Sequence, residues 1–417
     1  MLASDTGEGF KPLNLPLGWT FGGLAAGLVL GLALGGTAAA GPVLGVTETI
    51  GSLWLRALQM TIIPLVAALL VTGIARMVET ARAGAMARRT LLTIFAVLAA
   101  GTLLSAVATP LLLQAFPIPL AAGQALAASP GEAQEVPGIA EFVLSLVSPN
   151  LVAAAAENAM LPLVIFFALV GVAVARLPES QRVQMAGFFA ALGNVMLTIV
   201  GWVLWLAPAG VFALAVGVAA RAGGGAFLAL GHYILIVASL GFVVLLAAYP
   251  VAVLLGRKSP GAFARAVLPA QAVAFSTQSS LASLPAMLAS CRQLGIRETS
   301  ADFVLPLAVA IFRATSPAMN LAVAIYVAKL TDVPLTPATI AAGAAVALVT
   351  TIGSVSLPGT ISFVASVGPI ALAMGVPIGP LALLVAVEML PDIMRTVGNV
   401  TMDVAVTASV DHAQPKD

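Results

Sequence analysis

Long apolar runs separated by short polar breaks dominate the chain. They extend over roughly 17–38, 43–75, 91–116, 148–176, 183–219 and 225–256. A helix needs about 20 predominantly apolar residues to cross a bilayer, so each run predicts a span. Beyond residue 256 the pattern changes. Segments 259–292 and 336–377 are apolar but interrupted in their middles by Ser, Thr, Gly and Pro, whereas 301–330 and 379–409 read as ordinary spans.

The two interrupted segments echo each other. Ser283-Leu284-Pro285 in the first matches Ser356-Leu357-Pro358 in the second. Small polar residues precede each: Ser276, Thr277, Gln278, Ser279 and Ser280, then Thr350, Thr351, Gly353 and Ser354. Non-helical backbone is tolerated at membrane depth only where protein buries it or it lines a cavity. Broken segments at matching places in two repeats therefore point to a carrier's binding site. The plainer alternative is two kinked spanning helices.

Composition sharpens this picture. Of the 417 residues 60% are hydrophobic and only 8% charged, against about 25% charged in a typical soluble chain. The solvent must be lipid. A net charge of +1 argues against a nucleic-acid partner. The lone Cys291 excludes an internal disulfide, and no Cys/His metal spacing occurs, so neither metal nor cofactor is expected. The polar segment up to Pro16 lacks the basic region of a cleaved signal and is read as retained.

Basic residues give an orientation. Arg76, Arg82, Arg88 and Arg89 crowd one loop, and Arg176 and Arg182 another. Arg257, Lys258 and Arg265 precede the first broken segment, and Arg292 and Arg297 follow it. All fall on one side if that segment is a re-entrant hairpin. The 117–141 loop has no Lys or Arg but carries Glu132, Glu135 and Glu141. The positive-inside rule then places both termini in the cytoplasm. The first hairpin enters from inside and the second from outside. In the first span Gly23, Gly27, Gly31 and Gly35 form a stripe suited to close helix packing.

The last span carries the chemistry. Glu388, Asp392, Arg395, Asn399 and Asp403 follow at spacings of 4, 3, 4 and 4, one stripe of a helix. Thr396 sits beside it, and Ile393, Val397, Val400 and Val404 make the other face apolar. An ionisable residue at mid-depth costs ~2.5–3.5 kcal/mol on insertion scales and marks function by default. Arg395 offers a fork for a carboxylate, Asp392 a partner for an ammonium, and Asn399 an amide donor and acceptor. Together they suit an amino acid with an acidic side chain. The structural alternative is an internal ladder pairing Asp392 with Arg395 and Asn399 with Asp403. Arg313, central in 305–324, is too deep to snorkel and is assigned to the site. Arg56 and Glu157 read as structural.

The stripe Asp392-Ile-Met-Arg395-Thr396-Val-Gly-Asn399-Val-Thr-Met-Asp403 resembles the last helix of the dicarboxylate/amino acid:cation symporter family, the bacterial relatives of glutamate transporters. The Ser-rich first tip, Pro358-Gly359, Leu161-Pro162 with Phe166-Phe167, and Ala207-Pro208 with Val211-Phe212-Ala213 agree with it. The resemblance implies an all-α multi-pass membrane protein. It has eight transmembrane helices and two re-entrant helical hairpins in inverted repeats, glutamate-transporter-like. Residues 1–90 hold scaffold helices 1–2, 91–118 transport-domain helix 3, and 119–222 scaffold helices 4–5. Residues 223–417 form the rest of the transport domain, with hairpins at about 259–292 and 336–377. The family assembles as homotrimers in the inner membrane, and its transport domain slides like an elevator. By similarity Arg395 takes a side-chain carboxylate, Asp392 the amino group, and Thr396 and Asn399 the backbone end of a small amino-acid substrate. Ser279, Ser280 and the backbone near Leu357 close over it, and Ser316 faces it.

One motif departs from the family. The seventh helix normally reads Asn-Met-Asp-Gly-Thr and helps to bind sodium. Aligned from Val304-Leu305-Pro306-Leu307, this chain reads Phe312-Arg313-Ala314-Thr315-Ser316. Leu98, Gly101 and Thr102 replace an expected Tyr and Thr-Ser cluster, and Gln278 replaces a common Arg. A cation site needs oxygens in place of the hydration shell; two are gone and a guanidinium is added. The expectation is a substrate site kept and sodium sites lost, with Arg313 paired to Asp403. Coupling then falls to a proton, with Glu388 and Asp403 as its candidate carriers, or the protein is an exchanger. A sodium-coupled dicarboxylate or neutral amino-acid symporter is the alternative within the family. An anion channel or transport-dead sensor is the alternative outside it.

Overall fold

The computed structural model describes residues 17–35, 37, 40–81, 84–119, 144, 147–157, 159–222, 225–353 and 359–414. Among them every regular element is helical. Four stretches are long and apolar enough to cross a membrane: Gly41–Ala81, Ala85–Ala115, Glu179–Trp205 and Leu228–Leu255. Trp19, Leu92, Leu103, Trp202, Trp205 and Leu235 stand exposed on the outside, an apolar surface suited to lipid.

Helix α1 (Leu17–Leu34) lies against α8 (Ala207–Ala222). The glycine stripe explains the contact. A Cβ at Gly23, Gly27 or Gly31 would stand 2.5 Å from the carbonyl oxygen of Pro208, Phe212 or Val216 respectively. Backbone touches backbone, which only glycine permits.

Several sequence runs read as one span are two helices. The 43–75 run divides into α2 (Ala40–Gln59) and α3 (Ile62–Ala81). Pro64 has no N–H for the carbonyl of Met60, and the hydroxyl of Thr61 turns back to Leu58 O at 2.8 Å. The next helix, α4 (Ala85–Ala115), is continuous. The 148–176 run holds the short α5 (Leu151–Ala156) and α6 (Met160–Val174). Asn150 Oδ1 caps α5, accepting from the N–H groups of Val152 and Ala153 at 3.0 and 3.1 Å. The 183–219 run splits at Leu206, between α7 (Glu179–Trp205) and α8, where Pro208 follows.

Helix α9 (Gly225–Pro250) runs into a π-helical turn, Val251–Leu255, directly after Pro250. Then α10 (Pro260–Thr277) and α11 (Leu284–Gln293) pack on each other. Gln278 turns the chain between them in the left-handed region at φ 50°. The 301–330 stretch is also broken, into α12 (Glu298–Ile311) and α13 (Ser316–Leu330). Helices α14 (Pro337–Gly353) and α15 (Gly359–Ala373) pack on each other. The tip between them, Leu357 included, lies outside the described residues. Finally α16 (Gly379–Leu384) and α17 (Met389–His412) divide the 379–409 stretch.

Helix α17 is the buried axis of one part of the molecule. It packs against α4, α9, α10, α11 and α12. Its apolar face does not meet lipid, because Val397, Val400 and Val404 are buried with the stripe. At its far end Asp411 accepts from Arg297 Nε at 2.8 Å and from Ser300 Oγ at 2.7 Å. Helix α13 is buried along nearly all its length between α4, α9, α14 and α15. Helices α1, α2, α3, α6, α7 and α8 pair among themselves, and α3 and α6 meet α14 and α15.

Candidate functional site

The break between α12 and α13 and the polar stripe of α17 face each other, and each completes the other. Pro317, at the start of α13, has no N–H to continue the helix backward. The backbone freed over 312–315 therefore needs partners. Asn399 of α17 supplies one: its Oδ1 accepts from the Thr315 N–H at 2.9 Å. The Thr315 hydroxyl stands 2.9 Å from the same oxygen and 3.1 Å from the Arg395 carbonyl. Asn399 does not pair with Asp403 as the ladder alternative required.

Arg395 is the centre of the site and is 2% exposed. Its Nη1 donates to Asn320 Oδ1 at 2.8 Å, and its Nη2 to Glu388 Oε1 at 2.5 Å. Its Nε stands 3.4 Å from Asp392 Oδ1 and has no hydrogen-bond partner. Tyr233 of α9 donates to the second oxygen of Glu388 at 2.9 Å. Behind it the Tyr326 ring packs edge-on at 5.4 Å between centroids. The Tyr326 hydroxyl lies 3.1 Å from His232 Nδ1. Both terminal nitrogens of the guanidinium are thus bonded to groups of this chain, while its Nε faces Asp392 without a hydrogen bond.

The remaining residues of the stripe divide. Thr396 bonds its own helix, donating to the Asp392 carbonyl at 3.0 Å. Asp403 is fully buried and neither carboxylate oxygen has a hydrogen-bond partner. The expected pairing of Arg313 with Asp403 is not found. Arg313 lies within electrostatic reach of Asp392 and Arg395 instead, because the break before α13 turns it toward the start of α17. Two guanidiniums, of Arg395 and the half-buried Arg313, and three buried carboxylates, those of Glu388, Asp392 and Asp403, leave this set at a formal −1.

Ser316 and Asn320, one turn apart on α13, each keep a buried polar atom without a partner, Oγ and Nδ2 respectively. A buried polar atom without a partner costs free energy, so each calls for an explanation. Ser279 and Ser280 are half-buried in the turn after α10. The Ser279 hydroxyl accepts from the Ala282 N–H at 3.2 Å and closes that turn. Gln271 ties α10 to the stripe, donating to Thr401 Oγ1 at 3.0 Å.

Sequence reasoning missed Asn320, Tyr233, Thr315 and Gln271. Asn320 left a signal, as an amide four residues after Ser316 within an apolar run. Tyr233 did not stand out from its helix, since its partner lies 155 residues away.

A model of the sodium:dicarboxylate symporter family matches residues 17–413. The chain belongs to that family. Its members are transporters, not enzymes. Among the relatives is the proton/glutamate-aspartate symporter of Escherichia coli K12, 28% identical over 66% of this chain and 63% of its own length. The chain therefore matches somewhat under two thirds of that symporter. The proton/sodium-glutamate symport protein of Bacillus subtilis is 26% identical over 85% of this chain and 83% of its own. The neutral amino acid transporter B(0) of Bos taurus is 29% identical over 91% and 76%. In this member of the sodium:dicarboxylate symporter family, the stripe of α17 is a buried cluster of charged and polar groups.

Proposed function

We propose that the protein is a secondary carrier of acidic amino acids, aspartate or glutamate, that works without sodium and takes up a proton with its substrate. The observation that carries this reading is the buried Arg395, paired with Asp392 and Asn320, beside the unpartnered polar atoms of Ser316 and Asn320 on α13. A guanidinium to hold one carboxylate, a carboxylate to hold an ammonium and free donors for a second carboxylate suit an acidic amino acid. Asn399, Thr396, Ser279, Ser280 and Leu357 complete the substrate set in this reading. Two relatives named for proton-linked glutamate transport support the substrate class.

Sodium independence rests on Arg313. Phe312 and Ala314 bring no side-chain oxygen, and a permanent positive charge stands beside the place where a cation would need ligands. Arg313 cannot leave with the substrate, so it harvests no gradient. A proton can, with Glu388 or Asp403 as its carrier. In the same reading the helices form eight spans and two re-entrant hairpins, α10–α11 and α14–α15. The scaffold is residues 1–90 and 119–222, and the elevator is 91–118 and 223–417, within a homotrimer whose termini face the cytoplasm.

One observation favours a second substrate. Asp392 already feels two guanidiniums, Arg395 and Arg313, which weakens its call for an ammonium. A C4-dicarboxylate fits that arrangement. Uptake of radiolabelled aspartate and succinate into proteoliposomes, with and without sodium and with and without an inward proton gradient, tests both. Aspartate uptake driven by the proton gradient alone is expected. Uptake that needs sodium overturns the coupling, and uptake of succinate alone moves the substrate to the second reading.

A further inference from the structure

The fork of Arg395 that would receive a substrate carboxylate is already filled. Glu388 Oε1 takes the Nη2 side at 2.5 Å and Asn320 Oδ1 the Nη1 side at 2.8 Å. Glu388 is not held there by its helix alone. It sits in the turn between α16 and α17, and Tyr233 of α9 bonds its other oxygen at 2.9 Å. The pair is completely enclosed, at 2% and 0% side-chain exposure.

We infer that Glu388 is an internal stand-in for the substrate carboxylate, and that substrate and a proton displace it together. This rests on the reading of Arg395 as the carboxylate site. Binding exchanges one carboxylate for another at the same guanidinium. The Arg395–Glu388 contact breaks and an Arg395–substrate contact forms, so the guanidinium stays neutralised. Glu388 is then left buried without a counter-charge, which is strongly unfavourable. A proton on Oε1 removes that charge, while the Tyr233 hydroxyl continues to donate to Oε2.

Among the described residues, Arg395 is the cation that acts on Glu388. From its own helix it faces Arg395 and Asp392, and from α9 Tyr233; on α13, Tyr326 packs against Tyr233 and bonds His232, and Asn320 shares Arg395 with it. Arg313 acts on Asp392. Asp403 has no partner to lose, so filling Arg395 leaves its pairing unchanged. The exchange therefore sets one proton for each side-chain carboxylate that binds, and none for a substrate without one. Glu388 also excludes weak ligands, because only a carboxylate competes with it for the fork.

The test is calorimetry on the purified full-length protein, with aspartate as ligand, in buffers of differing ionisation enthalpy and across pH. The wild type is expected to take up about one proton per aspartate, with affinity falling up to tenfold per pH unit at alkaline pH. Glu388→Gln should bind aspartate more tightly than wild type at alkaline pH and take up no proton. Glu388→Asp should restore proton uptake, a recovery that a merely structural role does not give. Proton uptake that persists in Glu388→Gln overturns the inference alone and moves the proton to Asp403. Wild-type protein that binds neither aspartate nor succinate overturns it together with the reading of the site.

Discussion

Tyr233 and Glu388, on separate helices and 155 residues apart, share a buried hydrogen bond of 2.9 Å. It is a side-chain hydrogen bond that Glu388 accepts from outside the charged stripe. Removing it should cost ~1.5–3 kcal/mol, the range for a bond to a charged group. Tyr233→Phe is therefore expected to lower the unfolding midpoint of the purified protein clearly while keeping its fold. A variant as stable as wild type would show that this bond contributes nothing to holding Glu388.

Arg395→Cys should abolish binding of acidic amino acids. The variant leaves Glu388 buried without its cation, and losing one partner of a buried pair costs ~3–5 kcal/mol, more than a hundredfold in affinity. Arg395→Lys keeps the charge but cannot reach Asn320 and Glu388 at once, so it should recover little. Equilibrium binding of labelled aspartate decides this, and undiminished binding in the cysteine variant would remove Arg395 from the site.

Arg313→Met tests the sodium argument. It should weaken substrate binding and, alone, create no sodium dependence, because Phe312 and Ala314 still supply no oxygens. The measurement is aspartate affinity over a range of sodium at fixed ionic strength. Affinity rising steeply with sodium in this single variant contradicts the account of Arg313 as a built-in replacement for a bound cation.

A pH effect is expected at the far end of α17. Asp411 lies just past the apolar stretch, where partial burial pushes its carboxyl up. Hydrogen bonds from Arg297 and Ser300, with the Arg297 charge, outweigh that and hold it below its ordinary value. A group depressed in the folded state stabilises above its unfolded pKa, ~3.9 for Asp, and that contribution disappears as pH falls through the folded value. The stability gap between wild type and Asp411→Asn should be constant near neutrality and close in acid. A gap that widens on acidification would reverse the assigned sign.

What the sequence made legible was periodic or local. The spacing of Glu388, Asp392, Arg395, Asn399 and Asp403 put them on one stripe, and all five are buried together. The glycines at 23, 27 and 31 announced a close contact, and α8 supplies it. Breaks were harder to read. Hydropathy averages over a run, so a single proline such as Pro64 or Pro317 changes the chain's path without changing the average. Partners across the fold were harder still. Nothing local said that Thr315 would meet Asn399, or that Arg313 would face Asp392 rather than Asp403.

The contact between α1 and α8 also sets a unit of motion. Gly23, Gly27 and Gly31 of α1 each rest on a carbonyl of α8, four residues apart on both helices. A smaller slide would drive side chains into that backbone, and the next matching register lies four residues on, ~6 Å away at 1.5 Å per residue. The two helices therefore cannot creep past each other. They behave as a keyed shaft, so that α1 and α8 move as one body.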